Sequence, residues 1–169
     1  MEQGQAMATE PTFEDHVRYL SSHLRDRYDM RVESSRDDVV YLKNDIVAVR
    51  FFAGEPRDSF VHANVSYADK SLLGPDRKSF EMWRYVDYCD ARSLFPIRRP
   101  AEKSEGPLIN HLGMNRTYAF IGSPLMLLEI MNFLQVHADP ILRADREEVE
   151  SLVAWIEERD REYNERMSR

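Results

Sequence analysis

The side chains best suited to catalysis or metal binding in this chain are five histidines and a single cysteine. His16 and His23 are seven residues apart, which would place them on one side of a helix. A helical metal pair is normally spaced by four residues, as in HExxH, and the sequence lacks that motif. Cys89 lies between Asp87 and Asp90, whose negative charges do not favour a reactive thiolate. We therefore predict no catalytic residue, no metal site and no cofactor.

A basic loop is a second candidate site. It contains Arg92, Arg98, Arg99 and Lys103. Such a cluster could contact a phosphate group or an acidic segment of a partner. Only one aromatic residue is interleaved with these cations, and no glycine-rich phosphate-binding motif accompanies them. We therefore interpret the loop as a secondary contact surface and do not predict nucleic-acid binding.

The clearest structural pattern is a β-hairpin with strands over 39–43 and 46–52. Asn44 and Asp45 tolerate the backbone conformation of a two-residue turn, which would pair Lys43 with Ile46. Alternation then gives one wholly apolar face, formed by Val40, Leu42, Val47, Val49 and Phe51. The opposite face is mixed and comprises Val39, Tyr41, Lys43, Ile46, Ala48, Arg50 and Phe52.

The next strand, over 60–67, alternates in the same way. Four of its residues extend the apolar face, namely Val61, Ala63, Val65 and Tyr67. The candidate partner-binding residues lie on the mixed face and are Tyr41, Lys43, Arg50, Phe52, His62, Asn64 and Ser66. Aromatic residues and arginine are enriched at protein interfaces, and small-ligand pockets also combine a few polar groups with apolar walls. The mixed face is therefore our leading candidate site.

Helical patterns flank the strands. A first helix is predicted from Thr12 to about Arg27, and a last helix from Arg146 to about Met167. Apolar residues become sparse beyond Glu157, so the last turns are expected to project into solvent. Residues 78–90 are interpreted as a helix, with a fifth strand as the alternative.

The central helix is predicted to begin at Ser123-Pro124, after a short strand over 117–121. The predicted fold class is α+β. An N-terminal helix precedes an antiparallel meander of three to five strands, and a mostly helical C-terminal half packs on one sheet face.

Length and charge limit the possibilities. The chain has 169 residues and a formal net charge of −7. We predict a disordered leader over 1–11 and a single globular domain over 12–169. Residues 1–15 carry four acids and no base, and residues 145–169 carry nine acids and five arginines. A single cysteine and the lack of a long apolar run predict a cytoplasmic protein that does not enter the membrane.

These observations favour a non-catalytic, acidic module that binds one protein partner, and the acidic charge would suit a basic one. Bacterial secretion chaperones and immunity proteins that neutralise toxins share this order of elements, which is an analogy of architecture alone. The alternative is a small-ligand-binding protein or enzyme that uses the mixed face around His62 and Arg50. A structural subunit of a larger assembly and a homodimer are further alternatives.

Overall fold

The computed structural model describes residues 11–53, 61–92 and 118–168. Residues 1–10 of the predicted leader lie outside this range. So do three of the four cations of the predicted basic loop, which are Arg98, Arg99 and Lys103.

The described part of the chain forms a two-layer α+β fold, as the sequence pattern predicts. The strands are β1 (Arg31–Arg36), β2 (Val39–Lys43), β3 (Val47–Ala53), β4 (Val61–Tyr67) and β5 (Phe80–Glu81). They pair in chain order as an antiparallel meander, which is the simplest topology for consecutive strands. The described helices are α1 (Phe13–Leu20), α2 (Ser22–Tyr28), α3 (Met82–Ala91), α4 (Tyr118–His137), α5 (Asp139–Leu142) and α6 (Arg146–Met167).

The N-terminal helical region bends at Ser21, so the prediction of one continuous helix was wrong there. The Ser21 amide still donates to the Val17 carbonyl at 3.0 Å, and the Arg25 amide donates to the Ser21 carbonyl at 2.9 Å. Val17 and Leu24, on either side of the bend, are both buried in the core. Apolar spacing alone does not distinguish a straight helix from one bent at a single residue, because the same residues are buried in both.

The β2–β3 hairpin has a register that differs from the prediction by two residues. Lys43 pairs with Ala48 and not with Ile46. The Asn44 side chain explains the longer turn, because its Oδ1 accepts from the amides of Ile46 and Val47, each at 2.9 Å. Its Nδ2 also donates to the Tyr28 carbonyl at 2.8 Å, which ties the turn to the end of α2.

The predicted core face is nevertheless correct. Side chains alternate with a period of two along a strand, so a register shift of two residues leaves each side chain on the same face. All nine residues assigned to that face are 7% exposed or less, and they are Val40, Leu42, Val47, Val49, Phe51, Val61, Ala63, Val65 and Tyr67. The same hydrophobic cluster contains side chains of every described helix. The helices therefore pack on the apolar side of the sheet.

Val39 is an exception on the mixed face. It is only 1% exposed, although the pattern placed it with solvent-accessible residues. It pairs with Phe52 on β3 and with Arg36 on β1, where the register shifts between Ser34 and Arg36. An irregularity in an edge strand changes the local twist of the sheet. Strand alternation alone does not predict such a change.

Two further segments differ from the sequence interpretation. Residues 78–90 contain both predicted alternatives, because Phe80–Glu81 forms β5 and Met82–Ala91 forms α3. Residues 118–121 of the predicted strand over 117–121 are helical, since α4 is already helical at Tyr118. The helix continues through Ser123 and Pro124, so the prediction that it begins there was wrong. Apolar residues over 118–121 are compatible with either element, and continuity with the following helix decides between them.

The last helix ends at Met167, as predicted, and its final turns carry exposed apolar side chains. Tyr163 is 63% exposed and Met167 is 71% exposed. Within the described residues, Asp160 is the last residue of this helix that forms ion pairs with another element, at 3.5 Å from Arg77 and 3.0 Å from Arg84. Beyond it, the helix contributes little to the body of the fold.

Deleting residues 161–169 should therefore leave the melting temperature within about 3 °C of the parent value, since exposed ion pairs stabilise by well under about 1 kcal/mol. Ile156→Ala is the matched comparison, because Ile156 is fully buried and its truncation should cost about 2–5 kcal/mol. Thermal unfolding followed by circular dichroism measures both. A loss after the deletion as large as that of Ile156→Ala would mean that Tyr163 and Met167 are buried in a self-associated form.

Candidate functional site

The seven predicted partner-binding residues lie together on the sheet face opposite the helices. Tyr41 and Lys43 are on β2, Arg50 and Phe52 on β3, and the remaining three on β4, which are His62, Asn64 and Ser66. Arg50 and His62 are exposed, and the other five are partly exposed. The structure therefore brings all seven onto one accessible surface, here called the open face.

Cross-strand pairing aligns these residues in rows. One row runs through five strands and contains Glu33, Tyr41, Arg50, Asn64 and Glu81. Residues that face each other on neighbouring strands are about 4.5–5.5 Å apart at Cβ, so their side chains interact. A second row places Phe52 opposite His62, with their rings 6.3 Å apart.

A shallow cavity of about 270 Å³ is formed by residues of these two neighbouring rows. It is lined by Arg50, Phe52, His62, Asn64 and Glu81. Four of these five residues were predicted from strand alternation, and Glu81 was not. Residues 78–90 were interpreted as a helix, so Glu81 had no position in the predicted sheet. The pairing of Asn64 with Glu81 brings a carboxylate to the site.

The cations of the open face differ in whether they are neutralised. The Lys43 ammonium lies 2.6 Å from a Glu33 carboxylate oxygen, and the Arg31 guanidinium lies 2.8 Å from the other. These two partners hold the pKa of Glu33 below its usual value. No residue in the described ranges forms a hydrogen bond or an ion pair with the Arg50 guanidinium. Arg50 therefore presents its charge to a ligand, whereas Lys43 does not.

Asn64 lines the cavity and carries an unsatisfied polar atom. Its Oδ1 is buried and has no hydrogen-bond partner among the described residues. A buried amide oxygen without a donor costs about 1–3 kcal/mol. Arg50 and Glu81 make the lining of the cavity polar, with both charge signs present.

Arg92 is the described member of the predicted basic loop, and it is occupied within the chain. Its guanidinium lies 3.2 Å from the carboxylate of Glu148 on α6 and also donates to the Tyr88 hydroxyl. The ring of Tyr88 lies under the same guanidinium, 5.0 Å from its central carbon. Arg92 therefore links α3 to α6 and is not a free anion-binding cation.

Cys89 does not have the properties of a nucleophile. Its side chain is 1% exposed, and burial raises the pKa of the thiol to about 11. The thiol is therefore protonated at neutral pH, and only the thiolate is an effective nucleophile. Its position in the hydrophobic core is that of a structural cysteine.

The described residues contain no group of three or more potential metal ligands. Within the same residues, every helix is too short or too polar to cross a bilayer. Asp139, two residues after His137 in the sequence, has a structural role. Its carboxylate accepts hydrogen bonds from the Tyr28 hydroxyl at 2.6 Å, Arg27 at 2.9 Å and Arg143 at 3.1 Å.

This carboxylate makes a pH-dependent contribution to stability. The hydrogen bond from Tyr28, followed by the contacts of Arg143, lowers the pKa of Asp139 below its usual value of 3.8. A carboxyl group with a lowered folded-state pKa stabilises the protein above its unfolded pKa, and this contribution disappears as the pH falls through the folded pKa. Asp139→Asn should therefore reduce the urea midpoint near pH 7 by more than it does near about pH 3.

Asp37→Asn is the control for this experiment. Asp37 is exposed and makes no hydrogen bond or ion pair with another described residue, so its replacement should have little effect at either pH. Urea unfolding at the two pH values provides the measurement. If Asp139→Asn shifted the midpoint by the same amount at both, the charge of Asp139 would not contribute to stability.

Comparison of the chain with protein-family models, with curated proteins and with solved structures found no match.

Proposed function

We propose that this protein is a non-catalytic module that binds a single partner protein through its open face. The observation that supports this proposal is the separation of the two faces of the sheet. All described helices lie on the apolar side, whereas Tyr41, Arg50, Phe52 and His62 remain accessible on the other. A sheet face with accessible aromatic and arginine side chains has the composition of a protein interface.

Arg50 and Tyr41 are the proposed centre of this interface. They are direct neighbours on β2 and β3, and Phe52 lies two residues further along β3. Tyrosine and arginine dominate the binding energy of many interfaces, because each combines a large contact area with hydrogen-bonding groups. The charge of Arg50, which no described residue neutralises, suits an acidic or amide-rich element of the partner.

Electrostatic attraction of the partner by acidic residues is a second part of the proposal. The segment 145–169 carries nine acids against five arginines, and most of the acids on α6 are exposed. A negative surface increases the association rate with a basic partner through long-range attraction. The partner would then combine an overall basic charge with a contact element that accepts hydrogen bonds from Arg50.

The biological role proposed for this binding is that of an immunity protein, inhibitor or chaperone. The order of helix, meander and helices supports it only as an architectural analogy. A cytoplasmic location accompanies the proposal, since Cys89 is a free, buried thiol.

Affinity capture followed by mass spectrometry tests the proposal directly. The parent chain and a Tyr41→Ala/Arg50→Ala variant are used as bait at equal concentration. Arg18→Ala is the matched control, because Arg18 is exposed on α1 and its only side-chain partner among the described residues is Glu14, at helical spacing. We expect one partner to be retained by the parent and by Arg18→Ala and to be lost from the double variant. Equal recovery with all three baits would contradict binding through the open face.

The cavity beside His62 favours a second candidate function. Arg50, Asn64 and Glu81 converge there within about 270 Å³, and they could hold a small ligand with both positive and negative groups. In this alternative His62 is an acid or base and Arg50 an anion clamp. His62→Ala would then abolish turnover. All five lining residues are accessible, which favours the protein-binding proposal over an enclosed active site.

A further inference from the structure

The cavity on the open face is lined by an arginine and a glutamate whose charges no described residue neutralises. Arg50 on β3 and Glu81 on β5 are both exposed and line the same cavity, and neither forms a hydrogen bond or an ion pair with another described residue. Two other charged residues of this face, Lys43 and Glu33, are paired with each other. Arg50 and Glu81 are therefore the pair of opposite charges that the cavity offers to a ligand.

Cross-strand pairing fixes the separation of these two residues. Arg50 is opposite Asn64 on β4, and Asn64 is opposite Glu81 on β5. Neighbouring strands lie about 4.7–4.9 Å apart, so the backbones at Arg50 and Glu81 are about 10 Å apart. Because Asn64 lies between them and all three side chains line one cavity, the cavity has a positive end and a negative end.

Two rings line the cavity beside these charges. Phe52 and His62 face each other on β3 and β4, with their ring centres 6.3 Å apart. Phe52 is two residues beyond Arg50 on its strand, and His62 is two residues before Asn64, so the rings lie on the same face as the charges. A ring surface of this kind suits the methylene stem of a long charged side chain, which packs on apolar groups while its charged head remains solvated.

The size of the cavity limits its occupant to about one residue of a partner. Its volume of about 270 Å³ is below the usual range of about 300–1,000 Å³ for small-molecule sites. Both charges of the occupant must therefore come from a single residue. A lysine at a C-terminus carries a carboxylate and an ammonium group, separated by a four-carbon stem. An acidic residue at an N-terminus also carries both charges, but its short side chain holds them closer together than the two ends of the cavity.

We propose that this cavity binds the C-terminal lysine of the partner protein. The inference rests on the proposed function and describes the contact element of that partner. The terminal carboxylate would accept two hydrogen bonds from the planar guanidinium of Arg50, and the ammonium group would pair with the carboxylate of Glu81. The stem of the lysine would pack on the rings of Phe52 and His62. A C-terminal lysine also agrees with a basic partner that is attracted by the acidic surface.

Nα-acetyl-lysine is the probe, because it has the free carboxylate and the free side-chain ammonium group of a C-terminal lysine. Two analogues each lack one charge: the α-amide of the probe lacks the carboxylate, and Nα-acetyl-norleucine lacks the ammonium group. Chemical-shift changes in NMR spectra of the full chain at about pH 7, where both groups of the probe are charged, give the dissociation constants. We expect about 1 mM for the probe and at least about fivefold weaker binding for each analogue, since both ion pairs are exposed.

Arg50→Gln and Glu81→Gln should each weaken binding of the probe by about fivefold, whereas Arg18→Gln, on the helical side, should leave it unchanged. The inference is overturned by any one of three results: no binding of the probe, an affinity for either analogue equal to that for the probe, or an affinity that Glu81→Gln does not change. These results do not bear on the affinity-capture experiment. A partner that is still lost from the Tyr41→Ala/Arg50→Ala bait would leave the proposed function standing without this inference.

Discussion

Val49→Asp should unfold most of the protein at room temperature, whereas Ala48→Asp should leave it folded. Val49 is fully buried between Leu42 and Val65 on the neighbouring strands. An unpaired carboxylate at this position costs several kcal/mol, in a domain whose total stability is about 5–15 kcal/mol. Circular dichroism in increasing urea measures the difference between the two variants.

Ala48 is the matched control because it is one residue away on the same strand. It is partly exposed on the open face, and Lys43 lies directly opposite on β2. A carboxylate at position 48 would be solvated and close to an ammonium group, so its cost should be below about 1 kcal/mol. Equal loss of stability in the two variants would mean that both faces of the sheet are buried, and that would remove the basis for a binding surface.

The second large effect is expected on partner affinity. Arg50→Ala and Tyr41→Ala should each weaken the captured complex by about 1–3 kcal/mol, which corresponds to roughly 5- to 150-fold in the dissociation constant. Both variants should fold as the parent does, since neither side chain belongs to the hydrophobic cluster. Surface plasmon resonance gives the affinity, and thermal unfolding checks the fold.

Two comparisons sharpen this test. Arg18→Ala removes an arginine from the helical side and should change the affinity by less than about 0.5 kcal/mol. If the site binds a protein, His62→Ala should weaken the complex less than Arg50→Ala does. If the cavity is catalytic, His62→Ala should reduce turnover more than Arg50→Ala does. Association with a basic partner should also slow as salt rises, because the Debye length is about 10 Å at 0.1 M. Variants that all bind as the parent does would exclude the open face as the interface.

The division of the sheet into two faces could be predicted because it depends only on local alternation. Any register error of two residues preserves the faces, and the error in the β2–β3 turn was of that size. The predicted core residues were therefore right even though their cross-strand partners were wrong. The last helix could likewise be predicted, because its apolar stripe is a local feature.

Which residues make up the candidate site could not be predicted from the sequence without the tertiary structure. The register of the hairpin depends on Asn44, whose side chain reaches the Tyr28 carbonyl sixteen residues away. Glu81 joins the open face only because β5 pairs with β4, and that strand has only two residues. So short a strand has no periodic signal of its own.

The sequence by itself thus determined the core face of each predicted strand, with buried Val39 as an exception on the other face, because alternation is a property of neighbouring residues. Only the tertiary structure decided which charges remain uncompensated. Arg92 is neutralised by Glu148, fifty-six residues away, and Arg77 is held by Asp160. Arg50 and Lys70, by contrast, have no ion-pair partner in the described parts of the chain. Whether a cation is free to bind a ligand depends on distances between residues that are far apart in the sequence, and those distances are set by the packing of helices against the sheet.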